Sequence, residues 1–259
     1  ALKELQRYDE ALLSYDKAIS IKPEFADAYF NRGITLEELE RFDEALASYD
    51  QAISINPNYA EAYSNRGNTF KELQRYDKAL LSYDKAISIN PNYAAAYSNR
   101  GNALKELQRY DEALLSYDQA ISINPNYAEA YYNRGIALYE LQRYDKALLS
   151  YDQAISINPS YAEAYSNRGV TLYELQRYDK ALLSYDKAIS INPNYAAAYS
   201  NRGNALKELQ RYDEALLSYD QAISINPNYA EAYYNHGITL YELQRYNEAL
   251  LSYDQAISI

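Results

Sequence analysis

Apolar residues along this chain recur at helical spacing and break off at regular places. In the stretch 60–93, Tyr63, Gly67, Phe70 and Leu73 stand 4, 3 and 3 residues apart, the spacing of one helix face. A second set with the same periodicity follows in Ala79, Leu80, Tyr83, Ala86 and Ile87. Only Gln74-Arg75-Tyr76 lies between them, so the connection is a tight turn and the helices run antiparallel. Asp77 is expected to open the second helix, where a carboxylate favours the exposed amides and the helix dipole. Pro91 closes it, because the residue before a proline is pushed out of the α region. Asn92 is then placed to cap the following helix. Asn-Tyr-Ala-Glu at 126–129 approximates a capping box, and Ser-Tyr-Ala-Glu at 160–163 fits one in full. The small residues Gly67, Ala79 and Ala86 allow the two helices to approach closely.

The whole pattern returns every 34 residues, from Gly33 to Gly67 and on through Gly101, Gly135, Gly169, Gly203 and Gly237. Read from its first alanine, the repeat occupies 26–59, 60–93, 94–127, 128–161, 162–195, 196–229 and, incomplete, 230–259, with a partial repeat at 1–25. The repeats starting at Ala94 and Ala196 are identical, which lays a three-repeat superperiod over the single one and points to segmental duplication. A fixed period of this length means stacked supersecondary units, each burying its apolar face against its neighbours, in one continuous array. The expected fold is an all-α solenoid of antiparallel helix pairs.

Composition narrows the chemistry. Among 259 residues there is no cysteine, which removes disulfides, thiolate metal sites and cysteine nucleophiles. A formal charge of -11 disfavours nucleic acid and anionic membrane as partners. No apolar run approaches the roughly 18 residues of a membrane span. The chain starts without methionine and partway through a repeat, so it is expected to be a piece of a longer protein. The compartment is then open, with cytoplasm as the default, and no cofactor or metal is expected.

Tyr63, Gly67, Phe70, Ala79, Tyr83, Ala86 and Pro91 resemble the tetratricopeptide repeat pattern of aromatic, Gly, large apolar, Ala, aromatic, Ala and Pro. The repeat departs from that pattern at position 7, usually leucine, which is arginine six times and His236 once. The resemblance implies a right-handed superhelix whose first helices line a concave groove, and a role as a binding scaffold.

Repeats differ where a ligand would be read. Numbered from the first alanine, positions 2, 5, 9 and 12 of the first helix change character, and at about 100° per residue they share one stripe. Positions 3, 4, 7, 11 and 14 lie opposite and are assigned to packing. The stripe suggests a surface tuned for a ligand; the plain alternative is drift of exposed residues. Repeats starting at 60, 94 and 196 carry Ser, Asn and Lys at positions 5, 9 and 12, as in Asn68 and in Ser98, Asn102 and Lys105. Those starting at 128 and 230 carry Tyr132, Ile136, Tyr139 and Tyr234, Ile238, Tyr241; the one at 162 carries Ser166, Val170 and Tyr173. A polar stretch beside an aromatic-aliphatic patch suits a peptide with an apolar anchor. The alternative is that these tyrosines cover neighbouring helices. Tyrosines at positions 4, 17, 24 and 34 are assigned to packing.

Position 6 is asparagine throughout: Asn31, Asn65, Asn99, Asn133, Asn167, Asn201 and Asn235. Its amide can pair with both the C=O and the N–H of a peptide backbone, so a row of them could track an extended peptide of any sequence. The repeat region of O-linked N-acetylglucosamine transferases is similar, with stretches much like Glu-Ala-Tyr-Ser-Asn at 61–65, and the resemblance implies peptide binding by these asparagines. The alternative is a local bond to an adjacent backbone group or the next helix. The clamp that grips chaperone tails needs cations at positions 2 and 5; position 5 never holds lysine and position 2 is Asp27, Glu or Ala.

Arginine at position 7 reads as structural, its stem between helices and its head on a carboxylate such as Asp84. One histidine and no cysteine leave nothing resembling a nucleophile with its base. The leading expectation is a non-catalytic scaffold binding an extended peptide with basic and apolar residues. Two alternatives remain: the substrate-selecting arm of a larger enzyme such as a glycosyltransferase, or an array that associates head to tail through its incomplete ends.

Overall fold

The computed structural model describes residues 7–259. The expected remnant of a first helix at 1–5 lies outside them. The described chain is helical hairpins joined by short turns, and it forms two compact units, one ending at Asn126 and one spanning Tyr127–Ile259.

The first unit holds α1 (Tyr8–Ile21), α2 (Ala26–Glu38), α3 (Phe42–Ile55), α4 (Ala60–Glu72), α5 (Tyr76–Ile89), α6 (Ala94–Glu106) and α7 (Tyr110–Ile123). The second holds α8 (Ala128–Glu140), α9 (Tyr144–Ile157), α10 (Ala162–Glu174), α11 (Tyr178–Ile191), α12 (Ala196–Glu208), α13 (Tyr212–Ile225), α14 (Ala230–Glu242) and α15 (Tyr246–Ser258). Within each unit every hairpin packs on the next, and successive first helices of the repeat touch whereas successive second helices do not. The first helices therefore lie on the inner side of each unit.

The core explains the periodic small residues. Ala79, Ala86 and the ring of Tyr83 are fully buried in α5, and Gly67 of α4 faces that ring so closely that a β-carbon there would meet Tyr83 Cε1 at 2.5 Å. All seven glycines make the same contact with a position-24 tyrosine. Glycine recurs here because the ring occupies the space of a side chain.

Each first helix closes with paired bonds. Arg75 N donates to Phe70 O at 2.8 Å and Gln74 N to Lys71 O at 2.9 Å, with Gln74 in the left-handed region at φ 55°. This is a Schellman closure, usually built on glycine. The chain uses glutamine there, or Glu40 in the first hairpin, and accepts the steric cost in return for two satisfied carbonyls.

Helix starts differ from expectation. The residue before α10 is Tyr161, and its side chain makes no cap; Ser160 turns back instead, its N and Oγ donating to Asn158 Oδ1 at 3.1 and 2.8 Å. The capping box at 160–163 is therefore not formed. Tyr127 precedes α8 and Tyr93 precedes α6 in the same uncapped way, so neither 126–129 nor Asn92 caps a helix. The carboxamide acts two residues earlier: Asn90 Oδ1 accepts from Asn92 N across Pro91. The second helix begins at Tyr76, with Asp77 in its first turn and no side-chain cap. Pro91 follows α5 as expected.

Candidate functional site

The inner side of each unit carries the position-6 asparagines, three in the first and four in the second. Their surroundings are not uniform. Asn31 is exposed and its Nδ2 donates to Asp27 O at 2.8 Å. Asn65 is half-buried against the Tyr49 hydroxyl. Asn99 Nδ2 donates to Asn68 Oδ1 of the preceding repeat at 3.0 Å, and Asn167 Nδ2 donates to the Tyr132 hydroxyl at 3.0 Å. Asn133 is buried. Asn201 and Asn235 are half-buried, and among the described residues their side chains have no hydrogen-bond partner. Asn99 and Asn167 each spend one N–H on a neighbouring repeat and keep a carbonyl oxygen and the second N–H.

Position 9 has a structural task. Asn68 Oδ1 accepts both the Asn99 amide and, at 2.8 Å, the hydroxyl of buried Tyr83. Asn102 and Asn204 accept from Tyr117 and Tyr219 at the same distance. Ile136, Val170 and Ile238 stand there in the other repeats of the second unit, half-buried. In the first hairpin, where Ile34 holds the position, Tyr49 donates to Glu37, which also accepts from Thr69 Oγ1.

Position 5 corrects the stripe. Ser98 and Ser200 are fully buried, and Ser64 and Ser166 nearly so, so serine there faces packing rather than ligand. The aromatic alternative also packs: the Tyr132 ring lies 4.8 Å from Tyr161 and 6.1 Å from Tyr151, as Phe30 lies 4.8 Å from Tyr59. Tyr132 thus covers the start of the next helix. The helical wheel misplaced position 5 because the entering chain, with its tyrosine at position 34, folds over that edge.

Position 12 stays at the surface. Lys105 Nζ pairs with Glu106 Oε1 at 3.4 Å. Tyr139 and Tyr173 are half-buried; burial, and after it the charges of Glu174 and Glu208, push their hydroxyls up to about 12, so both rings are neutral. A cavity of about 130 Å³ opens here, lined by Tyr139, Glu140, Tyr151, Asn167 and Val170. The constant glutamate at position 13 was visible in the sequence. Its pairing with the residue before it, and the meeting of Tyr139 with Tyr144 at 5.4 Å, required the turn geometry.

At the last hairpin the equivalent residues are open: Tyr234 and Tyr241 are more than half exposed. A cavity of about 560 Å³ there is lined by Ala230, Glu231, Tyr234, Tyr253, Ala256 and Ile257.

The structural assignment of position 7 holds. Arg32, Arg66, Arg100, Arg168 and Arg202 each reach an aspartate of the preceding second helix at 2.6–2.8 Å. His236 keeps the geometry, with Nδ1 at 2.9 Å from Ser252 Oγ and Nε2 at 3.4 Å from Asp220 Oδ1. Among the described residues no group of acidic or histidine side chains is placed to hold a metal ion, and no helix is long and apolar enough to cross a membrane.

Comparison with known proteins agrees with this architecture. Models described as TPR repeat match 1–40, 38–74, 67–108, 101–142, 137–176 and 203–244, and tetratricopeptide repeat models match 162–195, 184–216 and 230–259. No curated protein matches the sequence. Among solved structures, YrrB, a TPR protein with an unusual peptide-binding site, is 30% identical over 71% of this chain and 95% of its own, with a TM-score of 0.59. MamA is 27% identical over 64% and 96%, at 0.59. A tetratricopeptide repeat protein from Parabacteroides merdae shares the fold at 20% identity over 90% and 92%, at 0.70. On repeat sequence, hairpin geometry and these matches together, the chain belongs to the tetratricopeptide repeat family.

Proposed function

We propose that the chain is a non-catalytic scaffold that binds an extended segment of another protein along the inner side of its first helices. The carrying observation is the hydrogen-bonding capacity left at position 6. Asn201 and Asn235 have no partner among the described residues, and Asn167 has committed one N–H of two. An acceptor with one N–H is the complement of a peptide unit, so these residues can hold main chain irrespective of sequence. The peptide-binding site of YrrB, a relative by sequence as well as fold, supports the same reading. Side-chain preference then falls to the neighbouring positions. Ile136, Val170, Tyr139 and Tyr173 offer apolar contact, and exposed Glu129, Glu140, Glu163 and Glu174 favour basic residues.

The test replaces Asn167, Asn201 and Asn235 together with alanine and titrates a fluorescent peptide of alternating lysine and alanine with a central leucine. Each lost main-chain pair contributes about 1 kcal/mol net, so binding should weaken roughly a hundredfold, equally for peptides of other sequence. Melting should change little, because only the Asn167–Tyr132 bond is internal. Unchanged affinity would overturn the asparagine reading.

A further inference from the structure

One position decides whether a constant carboxylate is already paired. Position 13 of the first helix is glutamate in every repeat, and position 12 is lysine in some repeats and tyrosine in others. In the lysine repeats the neighbouring cation serves that glutamate: Lys71 Nζ lies 3.2 Å from Glu72, Lys105 3.4 Å from Glu106 and Lys207 3.9 Å from Glu208. In the tyrosine repeats that ammonium is missing. Glu140, Glu174 and Glu242 have no ion-pair partner among the described residues; Glu174 accepts only the neutral Tyr139 hydroxyl. Each lies instead beside a tilted or edge-on pair of rings, Tyr139 on Tyr144 at 5.4 Å, Tyr173 on Tyr178 at 5.2 Å and Tyr241 on Tyr246 at 5.2 Å.

The cavity between α8 and α10 joins these features. Tyr139 and Val170 line it with apolar surface, and Glu140 contributes a carboxylate without a cation. Aromatic faces attract an ammonium, and an aliphatic stem ending in a charge matches a wall that combines apolar surface with a carboxylate. Resting on the groove-binding reading above, we propose that the tyrosine repeats of the second unit receive lysine side chains of the bound protein segment. The partner's ammonium meets Glu140 or Glu174 as the chain's own lysine meets Glu106 and Glu208. The lysine repeats are closed to such a residue because they supply the cation themselves. Position 12 thus sets which repeats read a basic side chain, and position 6 holds the backbone that carries it.

The experiment installs the internal cation. Tyr139→Lys with Tyr173→Lys gives the α8 and α10 repeats the residue that α4, α6 and α12 already carry, so the fold tolerates it, and circular dichroism verifies that. A charge-matched control, Leu149→Lys with Leu183→Lys, adds the same charge at exposed sites of α9 and α11. The alternating lysine-alanine peptide and its Nε-acetyl-lysine twin are titrated into all three proteins. The native protein and the control should prefer the lysine peptide by roughly tenfold, and the Tyr→Lys protein should bind the two peptides equally. Lys207→Tyr should increase the preference. Equal binding of both peptides by the native protein, or a preference that survives Tyr→Lys, overturns the lysine receptor and leaves the groove reading standing. If neither peptide binds the native protein, both readings fall.

Discussion

Arg100 Nε donates to Asp84 Oδ1 at 2.6 Å, tying α6 to the helix before it, while its Nη1 donates to Ser116 Oγ at 2.7 Å in the helix after. One guanidinium thereby joins three successive helices. Planar forked donors suit this; a point charge on a flexible stem would not reach both partners at once.

Arg100→Ala should therefore destabilise the first unit. Asp84 is about half exposed, which screens the ion pair, so the expected loss is about 1 kcal/mol. Urea unfolding measures it, and an unchanged midpoint would show the clamp to be passive.

His236 occupies the same slot with a weaker group. Burial lowers its pKa below 6.5, and Asp220 opposes that shift only in part. A histidine whose folded pKa is depressed binds its proton more readily in the unfolded chain. The stability it permits is whole above pH 6.5 and declines as pH falls through that value toward the folded pKa. Acidification should thus loosen the last hairpin. His236→Arg should remove this dependence and restore the charged clamp, with hydrogen exchange on α14 and α15 at neutral and mildly acidic pH as the measurement.

Gly135→Ala should be costly. Its methyl would lie 2.5 Å from Tyr151 Cε1 and 2.8 Å from Cδ1, and that ring is buried and cannot withdraw. Overpacking of this kind costs about 1–3 kcal/mol. A thermal midpoint equal to that of the native protein would mean the helices separate more easily than their contacts imply.

Asn68→Ile exchanges a polar position-9 residue for the one found at Ile136. It strands the Tyr83 hydroxyl and the Asn99 amide, both of which use Asn68 Oδ1. The expected loss is about 1–3 kcal/mol, since a buried donor without an acceptor carries its full desolvation penalty. A variant as stable as the native chain would assign Asn68 to ligand contact alone.

The amino-acid sequence by itself determined the helical hairpins and their contacts of small against large. Gly67, Ala79, Tyr83 and Ala86 recur at fixed offsets, and a helix has only one face on which they can meet. It also assigned the position-7 arginines to carboxylates such as Asp84, because a charge at a packing position requires a partner; that Asp84 is met by Arg100 of the following repeat came from the stacking. What tertiary structure decided lies where neighbouring segments compete for one place. Tyr132 shares a wheel angle with exposed residues, yet Tyr161, entering the next helix, covers that edge, and the ring is packed. Ser160 and Asn92 have the chemistry of caps, but the turn around the preceding proline puts tyrosine at the cap and leaves the carboxamides of Asn158 and Asn90 to hold the turn. The amides of Asn99 and Asn167 were available in sequence to any partner. Only the stacking of one repeat on another brought Asn68 and Tyr132 within 3.0 Å of them and so left each with an acceptor and one uncommitted N–H.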